Sequence, residues 1–198
     1  MSERRSPLRI AIQGERGSTN EQAIEVLARK HNWQDCTILY AVSTDGVFRA
    51  LHSGEADLGT FAIRTTRGGW VKESLEAIFR FNFCKLDQIE VPIDHVLLYW
   101  GRFDPGEKVT VVSHPQAIKV HRSFLIGQFP EVRFQQEADT GLAAKKLKEG
   151  RYPKNTLIIA PRSCARLYNL PVLSIHLEKN RGYRAIIWLV GRSPEPGG

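Results

Sequence analysis

The sequence predicts an α/β protein built from two lobes with mostly parallel sheets. Strand and helix patterns alternate along nearly the whole chain of 198 residues, and they do so in two successive blocks. Such alternation is typical of parallel strands joined by right-handed crossovers. We expect residues 8–80 together with 174–192 to form the first lobe, residues 91–170 to form the second lobe, and residues 193–198 to be a disordered tail.

The first block contains three strand–helix units. Its expected strands are Leu8–Gln13, Thr37–Val42 and Asp57–Ile63. Ser18 followed by Glu21 forms a capping box, which predicts a helix from that point to about Lys30. Ser43 can cap a second helix, which Gly54 ends. A third helix presents one apolar face, made by Val71, Leu75, Ile78 and Phe79.

The second block begins with a long extended stretch, Ile89–Trp100. Further strands are expected at Val109–Ser113, Arg133–Gln136 and Thr156–Ala160. Helices follow these strands: Pro115 suits the first turn of one helix, Gly150 ends another, and Pro161–Tyr168 forms a third. Two final strands, Val172–Leu177 and Tyr183–Val190, return the chain to the first lobe.

The charge of the chain favours an anionic partner. The net charge is +7, with a pI near 9.5. The basic residues are scattered, and the two densest clusters, Lys145–Lys148 and Lys179–Arg184, lack the interleaved aromatic side chains of single-strand binders. We therefore expect a small anionic ligand rather than nucleic acid.

Other features exclude several classes of protein. No apolar run approaches the roughly 20 residues that span a bilayer, so no membrane partner is expected. Cys36, Cys84 and Cys164 are odd in number and have no CxxC spacing, which predicts reduced thiols in a cytoplasmic protein. The six histidines show no metal-ligand spacing and the glycines no nucleotide-loop spacing, so we expect neither a metal nor another cofactor.

Four junctions between a strand and the next segment are rich in small hydrogen-bond donors. They are Gly14–Thr19, Thr65–Gly69, Ser113–Gln116 and Asp139–Gly141. Hydroxyl groups and free helix N–H groups form a good carboxylate receptor, because a helix N-terminus carries about half a positive charge. A satisfied N-cap is the alternative explanation for each junction alone. Together, the four junctions predict a ligand cleft between the lobes, at the carboxyl ends of the strands.

One of these junctions carries a family resemblance. Ser113-His114-Pro115-Gln116-Ala117, followed by Phe124-Leu125, resembles the SHPQA…FL motif of prephenate dehydratases. Four more segments resemble motifs of that family in the same order: Ile10–Ser18, Gly54–Gly59, Ala62–Leu75 and Asn180–Arg184. The resemblance covers nearly the whole chain. It implies the catalytic-domain fold of that family, which is similar to type II periplasmic binding proteins, and we expect no regulatory module.

The resemblance also implies the residues of the site. Catalytic roles fall to Tyr183, Ser113 and His114. Substrate-binding roles fall to Arg64, Thr65, Thr66, Gly68, Gly69, Ser113, Gln116 and Arg184. Arg184 keeps the family's arginine position and is expected to pair with a ligand carboxylate.

The chain departs from the family pattern where chemistry is expected. Arg64-Thr65 replaces a Glu-Asn pair, and Val120 replaces a glutamine late in the SHPQ helix. Tyr183 replaces the threonine that is expected to protonate the leaving hydroxyl. Tyr183 either points into the cleft as a substitute donor or packs in the core, and we expect core packing.

The resemblance implies a lyase that binds prephenate, or a close dicarboxylate analogue, between the lobes and decarboxylates it. That activity belongs to aromatic amino acid biosynthesis, the route to phenylalanine. Because the family's acid is missing, elimination of water to phenylpyruvate is left open. Two alternatives also remain: a non-aromatising prephenate decarboxylase of a specialised pathway, and a non-catalytic ligand-binding or sensing module. A homodimer is compatible with each hypothesis.

Overall fold

Two β-sheets with flanking helices form the computed structural model, which describes residues 7–175, 177 and 181–193. The strands are β1 Leu8–Ile12, β2 Cys36–Tyr40, β3 Leu58–Thr65, β4 Gly69–Trp70, β5 Cys84–Pro92, β6 His95–Leu98, β7 Thr110–Ser113, β8 Arg133–Gln136, β9 Thr156–Pro161 and β10 Arg184–Gly191. The helices are α1 Thr19–His31, α2 Thr44–Ser53, α3 Lys72–Ile78, α4 Pro115–Gln128, α5 Thr140–Lys148 and α6 Arg162–Leu167. Residues 194–198 of the expected tail lie outside the described residues.

The first sheet has the strand order β2-β1-β3-β10-β5, with β4 beside β3. The second sheet has the order β6-β9-β7-β8. The predicted α/β class is therefore confirmed, but the sheets are mixed rather than mostly parallel. Strand β10 runs antiparallel to both β3 and β5, and β6 runs antiparallel to β9. These are the strands that enter or leave a sheet when the chain changes lobe, so no right-handed crossover fixes their direction.

The long extended stretch expected at Ile89–Trp100 is divided between the sheets. Strand β5 ends at Pro92 in the first sheet, and β6 begins at His95 in the second. Pro92 has no N–H group to donate. The next residue, Ile93, donates its N–H to Tyr183 O at 2.9 Å, just before β10 begins. The second lobe was expected to begin at residue 91, but residues 91 and 92 still belong to β5 and pair with β10 in the first sheet.

The strand predicted at Val172–Leu177 is not found. Val172 forms only an isolated bridge with Leu98, and residue 176 lies outside the described part. The helix ends agree better with expectation, because their signals are local. Ser18 Oγ accepts from Glu21 N at 3.3 Å, and Ser43 Oγ accepts from Gly46 N at 3.0 Å.

Each sheet is packed on both faces by apolar side chains. Phe48 and Phe61 fill one face of the first sheet, while Ile10, Leu27 and Ile187 lie in the cluster on the other. No helix among the described residues is long and apolar enough to cross a bilayer. The two packed sheets leave their polar junctions facing each other, and these junctions form the site described next.

Candidate functional site

A cavity of about 80 Å³ lies between the two sheets, and all four donor-rich junctions contribute to its wall. The junction residues in the wall are Ser18, Thr19, Thr65, His114, Gln116, Asp139 and Thr140. Other wall residues include Gln13, Asn20, His95 and Tyr183. Neither lysine nor arginine occurs among the described residues of this wall.

Three helices begin at the cavity, each with a different N-cap side chain. Ser18 caps α1, His114 caps α4 through Nδ1, which accepts from Gln116 N at 3.2 Å, and Asp139 caps α5. The converging helix N-termini supply partial positive charge without any cationic side chain. The cavity can therefore attract a carboxylate even though its wall holds no lysine or arginine.

Thr65, at the end of β3, lies at the centre of a hydrogen-bond network in the wall. Its Oγ1 accepts from Gly68 N at 2.9 Å and from Gln116 Nε2 at 3.3 Å. The Thr65 hydroxyl also neighbours the hydroxyl of Tyr183 and lowers the pKa of that phenol. A hydroxyl oxygen has two lone pairs, and the two N–H donors occupy them. The Thr65 oxygen has no lone pair left for a ligand donor, whereas the neutral Tyr183 hydroxyl beside it adds an O–H donor to the wall.

Tyr183 is only 2% exposed, and its ring packs against two histidine rings of the second lobe. The ring centroids of His95 and His121 lie 5.6 Å and 6.2 Å from that of Tyr183. Burial raises the pKa of Tyr183 to about 12, although the Thr65 hydrogen bond opposes the shift. Tyr183 is thus neutral at physiological pH. It both packs in the core and contributes to the cavity wall, so the two alternatives drawn from the sequence are not exclusive.

His95 is a functional candidate that the sequence did not single out. It lines the cavity, and its Nδ1 lies 3.4 Å from Nε2 of His121. Burial, followed by the charges of His121 and His114, lowers the pKa of His95 to about 3. His95 is therefore a neutral imidazole. The only sequence signal for it was the long extended stretch that contains it.

Glu73 and His114 form a pair beside the cavity. His114 Nε2 lies 3.8 Å from Glu73 Oε2, while Glu73 Oε1 accepts from Thr44 N at 2.6 Å and from Gln13 Nε2 at 3.2 Å. Burial alone would raise the pKa of Glu73, but the nearby His114 and the hydrogen bond from Thr44 N hold it below its usual value. Glu73 and His114 also line a wider outer cleft of about 600 Å³.

Asp139 is the carboxyl group in the inner wall. Its Oδ1 accepts from Glu15 N at 3.0 Å and from Leu142 N at 2.9 Å. Burial raises the pKa of Asp139, and this effect outweighs the lowering by hydrogen bonds from Leu142 and Glu15. The sequence indicated Asp139 only as a member of a junction, because an N-cap aspartate is common and its burial depends on the opposite lobe.

Hydrogen bonds between the lobes close the cavity on both sides. On one side, Gln116 Nε2 donates to Gly69 O at 2.9 Å, and Lys119 Nζ donates to Gly68 O at 3.0 Å. On the other, Ser163 Oγ donates to Gly17 O at 2.8 Å. Small-molecule sites usually measure roughly 300–1,000 Å³. A ligand larger than the inner cavity therefore requires these lobes to separate before it enters.

Several predicted site residues are not brought to the cavity. Ser113 is fully buried, and its Oγ donates to Ile159 O at 2.6 Å, so its hydroxyl serves the second sheet. Gly68 and Gly69 contribute carbonyls to the lobe contacts rather than N–H groups to the wall. Thr66 donates through Oγ1 to Gly182 O at 3.0 Å.

The two arginines predicted to bind a carboxylate lie on the opposite face of the first sheet. Successive side chains on a strand point to opposite faces, and Thr65 and Tyr183 are the ones that face the cavity. Arg64 consequently lies over the Trp70 ring, 5.8 Å from its centroid. Arg184 is exposed, with Nε 3.9 Å from Glu90 Oε2. In this arrangement neither arginine can contact a ligand in the cavity.

No group of three His, Cys, Asp or Glu side chains in the described part of the chain could hold a metal ion. The cavity wall instead offers hydroxyl, amide, imidazole and carboxyl groups. This donor set suits a small polar ligand, its carboxylates held by helix N-termini and its hydroxyl groups by neutral side chains.

Comparison with known proteins agrees with this arrangement. The chain is 27% identical to the bifunctional chorismate mutase/prephenate dehydratase of Escherichia coli K12 over 173 residues, which are 87% of this chain and 44% of that protein. It is 25% identical to arogenate dehydratase 4 of Arabidopsis thaliana over 189 residues, 96% of this chain and 43% of that protein. The chain thus spans less than half the length of these curated relatives.

Solved structures show the same fold. The prephenate dehydratase of Arthrobacter aurescens in complex with L-Phe superposes with a TM-score of 0.75 at 21% identity, covering 94% of this chain and 61% of that one. A periplasmic substrate-binding protein of an ABC transporter from Coxiella burnetii gives a TM-score of 0.50 at 11% identity, covering 96% of this chain and 87% of that one. The expected likeness to periplasmic binding proteins is confirmed. The sequence model of the prephenate dehydratase family matches residues 10–193, and the chain therefore belongs to that family.

Proposed function

We propose that this chain binds prephenate, or a close dicarboxylate analogue, in the cavity between the lobes and releases its ring carboxyl group as carbon dioxide. The observation that carries the proposal is the convergence of three helix N-termini on a cavity that also holds Tyr183, Thr65 and Asp139. The curated relatives are named as prephenate or arogenate dehydratases, which are lyases. Their overall activity is therefore the starting point for this chain.

The binding step follows from the electrostatics of the wall. The helix N-termini attract carboxylates, and each is worth typically 0.3–1 kcal/mol, rising to about 2 kcal/mol in a partly buried site. Gln13, Asn20 and Gln116 add neutral hydrogen-bonding groups around the cavity. Tyr183 adds a neutral phenol O–H donor to the wall. Polar groups of this kind orient a ligand, whereas the apolar wall residues Val71 and Ile93 accept its ring.

The chemical step must dispose of an electron pair. When the bond between the ring and the carboxylate breaks, carbon dioxide leaves and its bonding electrons enter the ring diene. In a dehydratase these electrons expel the ring hydroxyl, which departs as water once it is protonated. In a non-aromatising decarboxylase the hydroxyl stays, and a ring carbon takes up a proton instead.

We favour the non-aromatising outcome for this chain. The family's threonine donor is replaced by Tyr183, whose pKa is raised to about 12 by burial. Tyr183 is also larger than threonine and is held by the rings of His95 and His121, so its hydroxyl lacks the reach of a small threonine side chain toward a leaving group. The ring hydroxyl is therefore retained, and the proton goes to carbon.

A non-catalytic binding module is the second candidate. It is favoured by the fixed Tyr183, which is 2% exposed and held between Thr65, His95 and His121. A sensing module needs the cavity and the lobe closure but no proton donor. Binding without release of carbon dioxide would distinguish this candidate from the lyase.

One experiment separates these functions. Purified protein is mixed with prephenate, and carbon dioxide, phenylpyruvate absorbance and ring-proton NMR signals are followed together. Carbon dioxide with retained non-aromatic ring protons supports the proposal. Stoichiometric phenylpyruvate would show a dehydratase and overturn the non-aromatising assignment. Binding in calorimetry with neither product would show a binding module, and the absence of binding would overturn the proposal as a whole.

A further inference from the structure

We propose that Asp139 is the general acid of this lyase, donating a proton from its Oδ2 atom to the substrate as carbon dioxide leaves. The inference rests on the proposed function and deepens it, because it assigns the source of the proton that the ring carbon takes up as carbon dioxide leaves. Asp139 lies in the wall of the inner cavity, at the first turn of α5, where a bound ligand must approach it.

The two oxygens of Asp139 are not equivalent. Oδ1 accepts two backbone N–H groups, from Glu15 at 3.0 Å and Leu142 at 2.9 Å. An oxygen that already accepts two N–H donors has no site for a proton. When Asp139 is protonated, its proton is therefore on Oδ2. The backbone thus orients the carboxyl group as a donor with a defined direction.

Gly14 keeps the space beside Oδ2 open. A Cβ atom built on Gly14 would lie 3.0 Å from Asp139 Oδ2 and 2.8 Å from Ser18 Oγ, too close for a side chain. Gly14 also has a φ of +117°, which glycine adopts without strain. At this position beside Oδ2 the chain therefore carries a residue without a side chain.

The surroundings of Asp139 act on its pKa in both directions: burial favours the neutral acid, whereas the N–H groups of Leu142, Glu15 and Gly141 and the charge of His114 favour the carboxylate. His114 faces it from α4, Cys164 faces it from α6, and Glu15 contributes its N–H from the loop after β1. The Glu15 carboxylate is paired with Lys145 Nζ at 2.8 Å. Burial raises the pKa of Asp139 despite the hydrogen bonds to its oxygens and the charge of His114. A dianionic ligand in the same cavity would raise that pKa further, since a like charge disfavours the carboxylate.

Burial acts in the same direction on Asp139 and Tyr183 but with opposite consequences. The carboxyl group moves from the acidic range toward neutral pH, where a general acid is most effective. The phenol moves from about 10 to about 12, further from neutral pH. Of the two groups, the carboxyl is the better proton donor, and Tyr183 remains a neutral hydrogen-bond donor.

The proposed step balances. The bond between the ring carbon and the carboxylate breaks, and carbon dioxide departs without the bonding pair. The pair passes through the diene to a terminal ring carbon, which forms a bond to the proton from Oδ2. Asp139 is left as a carboxylate and takes a new proton from water. No oxidant or other co-reactant is needed.

Asp139→Asn tests the assignment with little change in structure, because asparagine caps helices as well as aspartate does. We expect the kcat for release of carbon dioxide from prephenate to fall by about 10²–10⁴-fold, the usual loss on removing a general acid, with KM nearly unchanged. Asp104→Asn is the matched control. Asp104 Oδ1 also accepts a backbone N–H, from Gly106 at 2.9 Å, but it lies outside the cavity. Asp139→Ser, another good N-cap, should match Asp139→Asn, and thermal unfolding will verify that each variant folds.

Two further measurements do not depend on the size of the rate loss. The wild-type kcat should fall as pH rises through the pKa of Asp139, and Asp139→Asn should lack that descending limb. Carbon-13 NMR of the aspartate carboxyls should show one resonance that titrates well above the usual aspartate range and disappears in Asp139→Asn. An Asp139 that is ionised from pH 5 upward would overturn the inference whatever the activity.

The outcomes also separate the inference from the proposed function. If the wild type releases carbon dioxide and Asp139→Asn does so within about threefold of it, against the ~10²-fold expected, Asp139 is not the acid and the proposed function stands. If the wild type binds prephenate without releasing carbon dioxide, the lyase function fails, and the catalytic role of Asp139 fails with it.

Discussion

The hydroxyl group of Tyr183 can be removed without disturbing the packing around it, which makes Tyr183→Phe an informative substitution. The ring of Tyr183 contacts the rings of His95 and His121, with centroid distances of 5.6 Å and 6.2 Å, and phenylalanine preserves both contacts. What is lost is the phenol hydroxyl, which neighbours Thr65 and offers its proton to the cavity. We expect this variant to fold, to bind prephenate and to release carbon dioxide.

The magnitude follows from one neutral hydrogen bond. Thr65 Oγ1 keeps its donors Gly68 N and Gln116 Nε2, so only its own proton loses a partner. One such bond contributes about 0.5–1.5 kcal/mol to stability. A lost neutral bond to the ligand, worth a similar ~1 kcal/mol, corresponds to roughly a fivefold decrease in kcat/KM. Removal of the general acid would instead cost about 10²–10⁴-fold in kcat.

The assay compares kcat and KM for carbon dioxide release by wild type, Tyr183→Phe and Tyr99→Phe. Tyr99 packs against Phe103 in the second lobe, outside the inner cavity, and controls for loss of a phenol hydroxyl. A decrease of less than about tenfold in Tyr183→Phe fits a hydrogen-bonding role. A decrease of about 100-fold or more in kcat with unchanged KM would make Tyr183 the proton donor and refute the reasoning above.

Three further substitutions test the site. Arg184→Ala should change prephenate affinity in calorimetry by less than about twofold, because Arg184 lies near Glu90 on the far face of the sheet; a tenfold loss would contradict this. Gln116→Ala removes the hydrogen bonds to Gly69 O and Thr65 Oγ1. At roughly 0.5–1.5 kcal/mol per bond, the affinity for prephenate should fall by about tenfold. An unchanged affinity would exclude a role of Gln116 in closing the lobes over the ligand. The fold lowers the pKa of His95 from 6.5 to about 3, so between these pH values the unfolded chain binds a proton at His95 and the folded chain does not. The free energy of unfolding should therefore fall as the pH drops from 6.5 toward 3. In urea unfolding, the decrease in the free energy of unfolding from pH 7 to pH 5 should be smaller for His95→Gln than for the wild type. An equal decrease in both proteins would assign the effect to other groups.

The order of the elements could be predicted because its signals are local. Ser18, Ser43 and Gly54 mark helix ends by their own hydrogen-bonding and backbone preferences, and each does so in the structure. The polar junctions were predicted for the same reason, since a strand followed by a capped helix exposes its donors at one edge of the sheet. The pairing of β5 with β10 had no such local signal, because it joins residues almost a hundred positions apart.

The predicted arginines show what a motif does not specify. A motif specifies where a residue lies along a strand. The face of the sheet to which its side chain points depends on whether it is an odd or an even number of positions from the buried residues of that strand. Tyr183 and Arg184 are adjacent in an extended segment, so at most one of them can face the cavity. Tyr183 continues the alternation of Ala185 and Ile187, which are buried, and this pattern could have assigned Arg184 to the other face.

Asp139 and His95 could not have been identified from the sequence for a different reason. The shift in the pKa of each comes from burial, and for Asp139 burial is produced by the loop after β1 in the opposite lobe. Sequence spacing does not report distances between segments separated by more than a hundred residues. Only the closed arrangement of the lobes shows that an ordinary helix cap is also a partly buried carboxyl group in the cavity wall.

The charge of the chain and the charge of the cavity require separate explanations. The net charge of +7 indicates an anionic partner, yet the described residues of the inner wall include neither lysine nor arginine. Attraction for a carboxylate must then come from the N-termini of α1, α4 and α5, whose partial charges are modest. An ionised Asp139 would oppose that attraction at close range, whereas a protonated Asp139 would not. The burial that raises the pKa of Asp139 therefore serves ligand binding as well as proton donation, and both roles depend on the same closed lobes.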